Sequence, residues 1–84
     1  MFYVYVLENR KKDRYFGSTN DIKRRVQEHN SGQNQSTKSG KPWKVIFYEA
    51  FVIESDAKRR EKYLKTSTGR RMFSRMIKDY ITTN

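Results

Sequence analysis

Phe2 to Leu7, reading FYVYVL, is an unbroken run of six apolar or aromatic side chains at the start of an 84-residue chain. A strand with one face in water alternates with polar residues, and this run does not. It reads as a strand covered on both faces, in the middle of a sheet. A chain of this length has room for one domain and one small core, so the other elements are expected to be arranged around this strand.

Glu8 to Asp13 is polar and charged and reads as a turn. Arg14-Tyr15-Phe16-Gly17 is a second short strand ended by glycine, close enough to the first to form an antiparallel hairpin. Ser18 to Asp21 is rich in helix-capping residues, with Asp21 suited to a first turn. Ile22, Val26 and His29 then recur at helical spacing until Asn30-Ser31-Gly32 stops the helix. Gln33 to Lys41 is a polar surface loop. A third strand is expected over Trp43 to Ile53, with Trp43, Val45, Phe47 and Phe51 on one face. Ser55 can cap a second helix carrying Ala57, Glu61 and Leu64, and Thr66 to Gly69 breaks it. A last helix carries Phe73, Met76, Ile77, Tyr80 and Ile81 on one stripe. The order ββαβαα predicts an α+β fold, a small three-stranded antiparallel sheet flanked by helices with the first strand central. It forms one domain over residues 1–84, with an ordered core over about 2–81.

Composition narrows the function. With no Cys and a single His, a disulfide scaffold, a cysteine-ligated zinc site and a multi-histidine metal site within one chain are all excluded. No apolar run approaches a membrane span, and the opening residues lack the basic leader of a signal peptide. A soluble cytoplasmic protein is expected. The 19 Lys+Arg against 9 Asp+Glu, a net charge of +10, call for a polyanionic partner, and nucleic acid suits it better than a membrane surface. The basic residues fall in four clusters, Arg10-Lys11-Lys12, Lys23-Arg24-Arg25, Lys58-Arg59-Arg60 and Arg70-Arg71. This exceeds what solubility needs, and phosphate binding is expected of Lys23, Arg24, Arg25, Lys38, Arg59, Arg60, Arg70 and Arg71.

Five residues could carry chemistry. Tyr5 and Tyr15 sit on the hairpin strands and can stand side by side; as bases they would need a neighbouring cation, and strand tyrosines are more often ordinary core or rim residues. Arg25 flanks the apolar stripe of the first helix, placed either to clamp a phosphate or to lie over the core edge. His29 lies on the same face, where a lone histidine is more often structural. Glu61 occupies the middle of an apolar stripe, where a carboxylate is costly unless paired or metal-bound. A divalent cation and an ion pair with Arg25, Arg59 or Arg60 are equally open to it. Gly17 would let a phosphate or another backbone approach closely, or would simply end its strand.

Taken together these parts resemble the GIY-YIG nuclease family. Tyr3-Val4-Tyr5 stands where that family has Gly-Ile-Tyr, and Tyr15-Phe16-Gly17 where it has Tyr-Ile-Gly. Arg25, His29 and Glu61 fall at the family's arginine, a frequent histidine and the metal-binding glutamate. The likeness covers about residues 2–81 and is nearest to the small single-domain bacterial members related to the N-terminal nuclease domain of the bacterial excinuclease. Two departures are visible: Tyr3 replaces the first glycine, and the only Asn after position 34 is Asn84, where the family often has a late asparagine in its last helix. The resemblance implies hydrolysis of DNA phosphodiester bonds, in repair or recombination, with one divalent cation, Mg²⁺ or Mn²⁺. Glu61 would hold the metal, Arg25 would stabilise the phosphate, Tyr5 would activate water and Tyr15 would orient it. A monomer is expected, with a protein partner supplying specificity. All four groups should then meet on one concave basic surface, and a structure placing Glu61 on the far side of the sheet from Tyr5 would sink this reading. The rival is a nucleic-acid-binding module without catalysis, in which the tyrosines and Glu61 are structural.

Overall fold

Antiparallel pairing on both sides of the apolar run organises the computed structural model, which describes residues 1–83; Asn84, the late asparagine noted above, lies outside them. Strand β1 (Phe2–Glu8) is central, with β2 (Arg14–Thr19) on one side and β3 (Lys44–Phe51) on the other. Helix α1 (Ile22–Asn30) follows β2, and a 3₁₀ turn over Lys38–Gly40 precedes β3. Helices α2 (Glu54–Leu64), α3 (Ser67–Met76) and α4 (Lys78–Thr83) complete the chain. The expected α+β architecture and central first strand are present, and the order ββαβαα holds through α3, with α4 following it.

The period-two alternation of β1 divides the core. Val4 and Val6 are fully buried with Phe16, Ala57, Leu64 and Phe73 beneath α2 and α3. Tyr5 and Leu7 point the other way, against Trp43, Tyr15, Ile22 and Val26, beneath α1. With helices on both faces, the strand has no need of a polar side. On β3 the register slips by one residue between Val6, which faces Phe47, and Leu7, which faces Val45. This bulge puts Val45 and Trp43 with the α1 core and Phe47 and Phe51 with the α2–α3 core, so the single face expected for those four is corrected.

Other boundaries also move. Glu8 ends β1 rather than opening the turn, and it is 2% exposed. Arg14 at 3.3 Å, Lys12 at 3.9 Å and the Tyr80 hydroxyl at 2.5 Å satisfy its carboxylate, which makes burial of the charge tolerable. The helix expected to run through Tyr80 breaks at Ile77; Tyr80 turns to Glu8, while Met76 and Ile81 remain exposed. Asp21 is the N-cap of α1, accepting from the Arg24 amide at 3.1 Å. Ile53, not Ser55, is the N-cap of α2, and no side chain bonds there; Glu54 and Asp56 place negative charge in its first turn instead. Lys65 is the C-cap of α2, and Thr66 caps α3 by accepting from the Gly69 amide at 3.0 Å.

At Gly69 the two helices touch backbone to backbone. A Cβ built there would lie 2.0 Å from the Tyr63 carbonyl oxygen and 2.9 Å from Leu64 Cα. Gly69→Ala must therefore force α2 and α3 apart over the buried Phe73. We expect a loss of about 3 kcal/mol, a fall in melting temperature on the order of 15 °C for a domain of this size. A melting temperature within a degree or two of the parent would contradict this packing.

Candidate active site at the edge of the sheet

The site is assembled around the edge strand β2. In the β1–β2 register Tyr5 faces Gly17 and Leu7 faces Tyr15, so the two tyrosines are diagonal neighbours on the α1 face, with ring centroids 6.3 Å apart. Gly17 is required by this arrangement. A Cβ at that position would lie 2.6 Å from the Tyr5 hydroxyl oxygen, so it is the Tyr5 ring, rather than a ligand, that makes the close approach.

Side chains from α1 and its following loop close over Tyr5. Its hydroxyl is 2.9 Å from Nε2 of the fully buried His29, and His29 Nδ1 is 2.7 Å from the hydroxyl of buried Thr37. Tyr15 lies against the His29 ring at 4.7 Å. Arg25 comes in beside Tyr5 from the same helix. Its Nη1 donates to Glu28 at 3.0 Å, and its Nε is buried with no hydrogen-bond partner. Burial pushes the Tyr5 phenol above its ordinary value; the Arg25 guanidinium opposes this in part, and Tyr15 and Glu61 add to it. Burial and the charge of Arg25 together hold His29 below its ordinary value, so its imidazole is neutral near pH 7.

Glu61 comes from the opposite face. It lies on α2, whose Ala57 and Leu64 pack on Val4 and Val6, and its carboxylate reaches the edge of the sheet. There Ser18 Oγ donates to Oε1 at 2.6 Å and Lys65 Nζ lies 2.9 Å from Oε2. Burial acts to raise its pKa, but the bonds from Ser18 and Lys65 and the charges of Lys65 and Lys58 outweigh it, and the carboxyl is held below the ordinary range. The partner is thus a lysine one turn along, not Arg25, Arg59 or Arg60. The four groups do not share a face. Tyr5, Tyr15 and Arg25 lie on one side of β2 and Glu61 on the other, separated by the Gly17–Ser18 backbone and close enough for Glu61 to bear on Tyr5 electrostatically.

Where β2 ends, a cleft of about 280 Å³ opens between the N-terminal turns of α1 and α2, lined by Ser18, Asn20, Arg24, Arg25, Lys58 and the acidic Glu54 among others. Of the expected phosphate-binding residues, it gathers Arg24 and Arg25. Lys23 lies just outside on the exposed side of α1. Lys38 is on the 3₁₀ turn past the far end of that helix. Arg59 pairs with Asp56 at 2.7 Å, and Arg60 pairs with Glu49 at 2.8 Å on the β3 side. Arg70 spreads over the Phe16 ring at 5.6 Å, and Arg71 is exposed on α3. Sequence reasoning does not single out Ser18, Thr37 or Asn20, nor set Lys58 apart from its arginine neighbours. The available signals are position alone: Ser18 follows Gly17, and Lys58 is one turn before Glu61.

No group of three or more His, Asp or Glu among the described residues could hold a metal ion unaided. Mg²⁺ and Mn²⁺ need less, since one or two carboxylates suffice when phosphate oxygens and water complete the shell. An ionised Glu61 beside the Ser18 hydroxyl fits that requirement. No helix among the described residues is long and apolar enough to cross a membrane.

The buried His29 makes a testable demand. Its folded-state pKa is depressed below the ordinary 6.5, so across that window the unfolded chain binds more protons and stability rises with pH. The contribution is complete above about pH 6.5 and is lost as pH falls toward the folded value. Glu61, also depressed, adds its own loss only below its ordinary 4.5. We expect the melting temperature to fall between about pH 6.5 and pH 5, and His29→Gln to flatten that decline. An equal slope in parent and variant would contradict a neutral buried imidazole.

A three-stranded sheet with paired tyrosines, a glycine under one of them, an arginine on the next helix and a glutamate reaching the same edge defines a GIY-YIG-type domain. The GIY-YIG catalytic domain family matches residues 1–74, and the chain belongs to that family. It is 35% identical over 69 residues to a UPF0213 protein of Clostridium perfringens, covering 81% of this chain and 74% of that one. It is 37% identical over 67 residues to a UPF0213 protein of Haloquadratum walsbyi, covering 79% and 75%. The solution NMR structure of a UPF0213 protein from Bacillus halodurans superposes with a TM-score of 0.56 at 28% identity, covering 92% of this chain and 86% of the other.

Proposed function

We propose that the chain is a metal-dependent endonuclease that hydrolyses DNA phosphodiester bonds, selecting DNA structure rather than sequence, with repair or recombination as its setting. The observation that carries this reading is the arrangement of Tyr5, Arg25 and Glu61 about Gly17–Ser18, beside a cleft lined by Arg24, Arg25 and Lys58. A phosphate entering the cleft meets the cationic side chains of Arg24, Arg25 and Lys58, which line it.

Glu61, with Ser18 beside it, would hold the cation once Lys65 releases Oε2. When bound, the ion supplies Lewis-acid stabilisation of the phosphate and a more acidic water. Arg25 would bind the scissile phosphate and meet the charge that grows on it in the transition state. Tyr15 would orient the attacking water. A phenol held above its ordinary pKa is a poor base by itself. Tyr5 would therefore accept a proton from water as its own passes to Nε2 of neutral His29, whose other nitrogen is anchored by Thr37. The surface outside the cleft is small, which leaves room for a protein partner that supplies specificity to a monomer.

Three observations favour the rival, a nucleic-acid-binding module without catalysis: Glu61 lies across β2 from Tyr5 and Tyr15 instead of on their face, Lys65 already occupies Oε2 of Glu61, and the Tyr5 phenol is pushed up. End-labelled nicked, flapped and branched DNA incubated with Mg²⁺ or Mn²⁺ separates the two. Strand scission that a chelator stops is expected. Protein that retains these DNAs in a gel shift and cuts none of them is the binding module.

A further inference from the structure

On the α1 face, the helix covers Tyr5 and Tyr15 but leaves the β3 side of the sheet open. There Tyr3 and Tyr48 meet edge to face, their ring centroids 6.1 Å apart at 69°, and Tyr48 is 59% exposed. With Ile22, Val26 and Val45 they line an open groove of about 670 Å³. Its rim is polar: Lys23, which makes no ion pair among the described residues, stands with Gln27 and Asn20 along α1. Asp21, also on the rim, has its carboxylate turned to the Arg24 amide. Asn20 belongs equally to the basic cleft of Arg24, Arg25 and Lys58, so the two depressions adjoin at the start of α1.

We propose that this groove takes one unpaired nucleobase of a DNA strand whose phosphate occupies the basic cleft. The proposal rests on the nucleic-acid reading above and adds the feature that gives structure selectivity. The groove has an apolar floor with an aromatic face, which a base can stack on, and the amides of Asn20 and Gln27 and the ammonium of Lys23 among its lining groups. Charge favours a polyanion over an acidic or neutral peptide, because a free lysine rims the groove and arginines line the adjoining cleft on a chain of net charge +10. In a fully paired duplex no base is free to enter, so the groove distinguishes a flap or fork from intact double helix.

The test compares binding of a flapped DNA with a fully paired duplex in the presence of chelator. The parent and two variants, Tyr48→Ala and Tyr48→Phe, are measured, with 2-aminopurine as the first unpaired base. Tyr48 is exposed, so all three should fold, and circular dichroism checks this. The parent should prefer the flap, and Tyr48→Ala should lower the flap-to-duplex affinity ratio about tenfold, within the range a stacked base contributes. Tyr48→Phe, which keeps the ring, should retain the ratio, and 2-aminopurine emission should be quenched by parent and Phe variant only. An unchanged ratio in Tyr48→Ala overturns the groove. If that protein still binds flapped DNA, and cuts it once Mg²⁺ replaces the chelator, the nuclease reading survives; a parent that binds neither DNA fails both. A parent that self-associates through Tyr48 while its flap preference is indifferent to the substitution makes the groove a contact between copies, and also overturns the proposal.

Discussion

Replacing Glu61 with glutamine should leave metal-free DNA binding at least as strong as in the parent and reduce metal-dependent cleavage by two to three orders of magnitude. The carboxylate sits at the strand edge within electrostatic reach of Tyr5 and beside Lys58 of the phosphate cleft. In the absence of metal it repels a phosphate backbone, and it also occupies Lys65. Glutamine removes the repulsion and frees that lysine. It also removes the carboxylate placed to hold a hard cation beside Ser18, and with it stabilisation worth several kcal/mol in the transition state. The fold should tolerate the change. Glutamine can still accept from Ser18, and an ion pair with a half-exposed lysine contributes at most about 1 kcal/mol. If Glu61 is only a structural partner, the pattern inverts: the melting temperature drops and any cleavage per folded molecule is retained.

Arg25→Ala should behave differently, losing both affinity and rate. A guanidinium that attracts phosphate in the ground state and the transition state alike affects both. Removing a preorganised donor at a developing oxyanion lowers rates by roughly 10²–10³-fold, and the loss of one phosphate contact should lower the slope of log affinity against log salt by about one. Two further readouts follow from the geometry. His29 is held down in part by the charge of Arg25, so its pKa should rise in Arg25→Ala, as observed by NMR titration of the ring. Arg25→Lys keeps a charge but not the fork, and should recover more of the affinity than of the rate. A variant that binds and cuts as the parent does would remove Arg25 from the site.

The order of elements and the central position of β1 are legible in the sequence because they depend on period and continuity, which are local. The run Phe2–Leu7 lacks a polar face, and the structure supplies helices on both sides. Glu8 reads as the start of the turn because its most distant partner, Tyr80, is 72 residues away; a buried carboxylate looks like a surface one until its partners are known. Val45 is assigned the wrong face from sequence because a one-residue bulge inverts alternation and leaves no local mark. The site divides in the same way. Tyr5, Tyr15, Arg25 and His29 follow from the hairpin and the stripe of α1, which are neighbours in sequence. Helical spacing places Glu61 on the inner stripe of α2, but spacing does not say which face of a sheet a helix covers, so the expected common face becomes an arrangement around an edge strand. The partnership of Glu61 with Ser18, and of Arg60 with Glu49, depends on packing between elements apart in the chain.

The central claim is that the groups about Gly17–Ser18 hydrolyse DNA. It is tested most directly by single-turnover cleavage of end-labelled flapped and branched DNA with Mg²⁺ or Mn²⁺. Parent and Glu61→Gln are compared per folded molecule, with metal-free binding measured on the same preparations. We predict metal-dependent scission by the parent, its loss in the variant, and binding that is equal or stronger in the variant. DNA bound but left intact by the parent, or cut equally by both proteins, would contradict it.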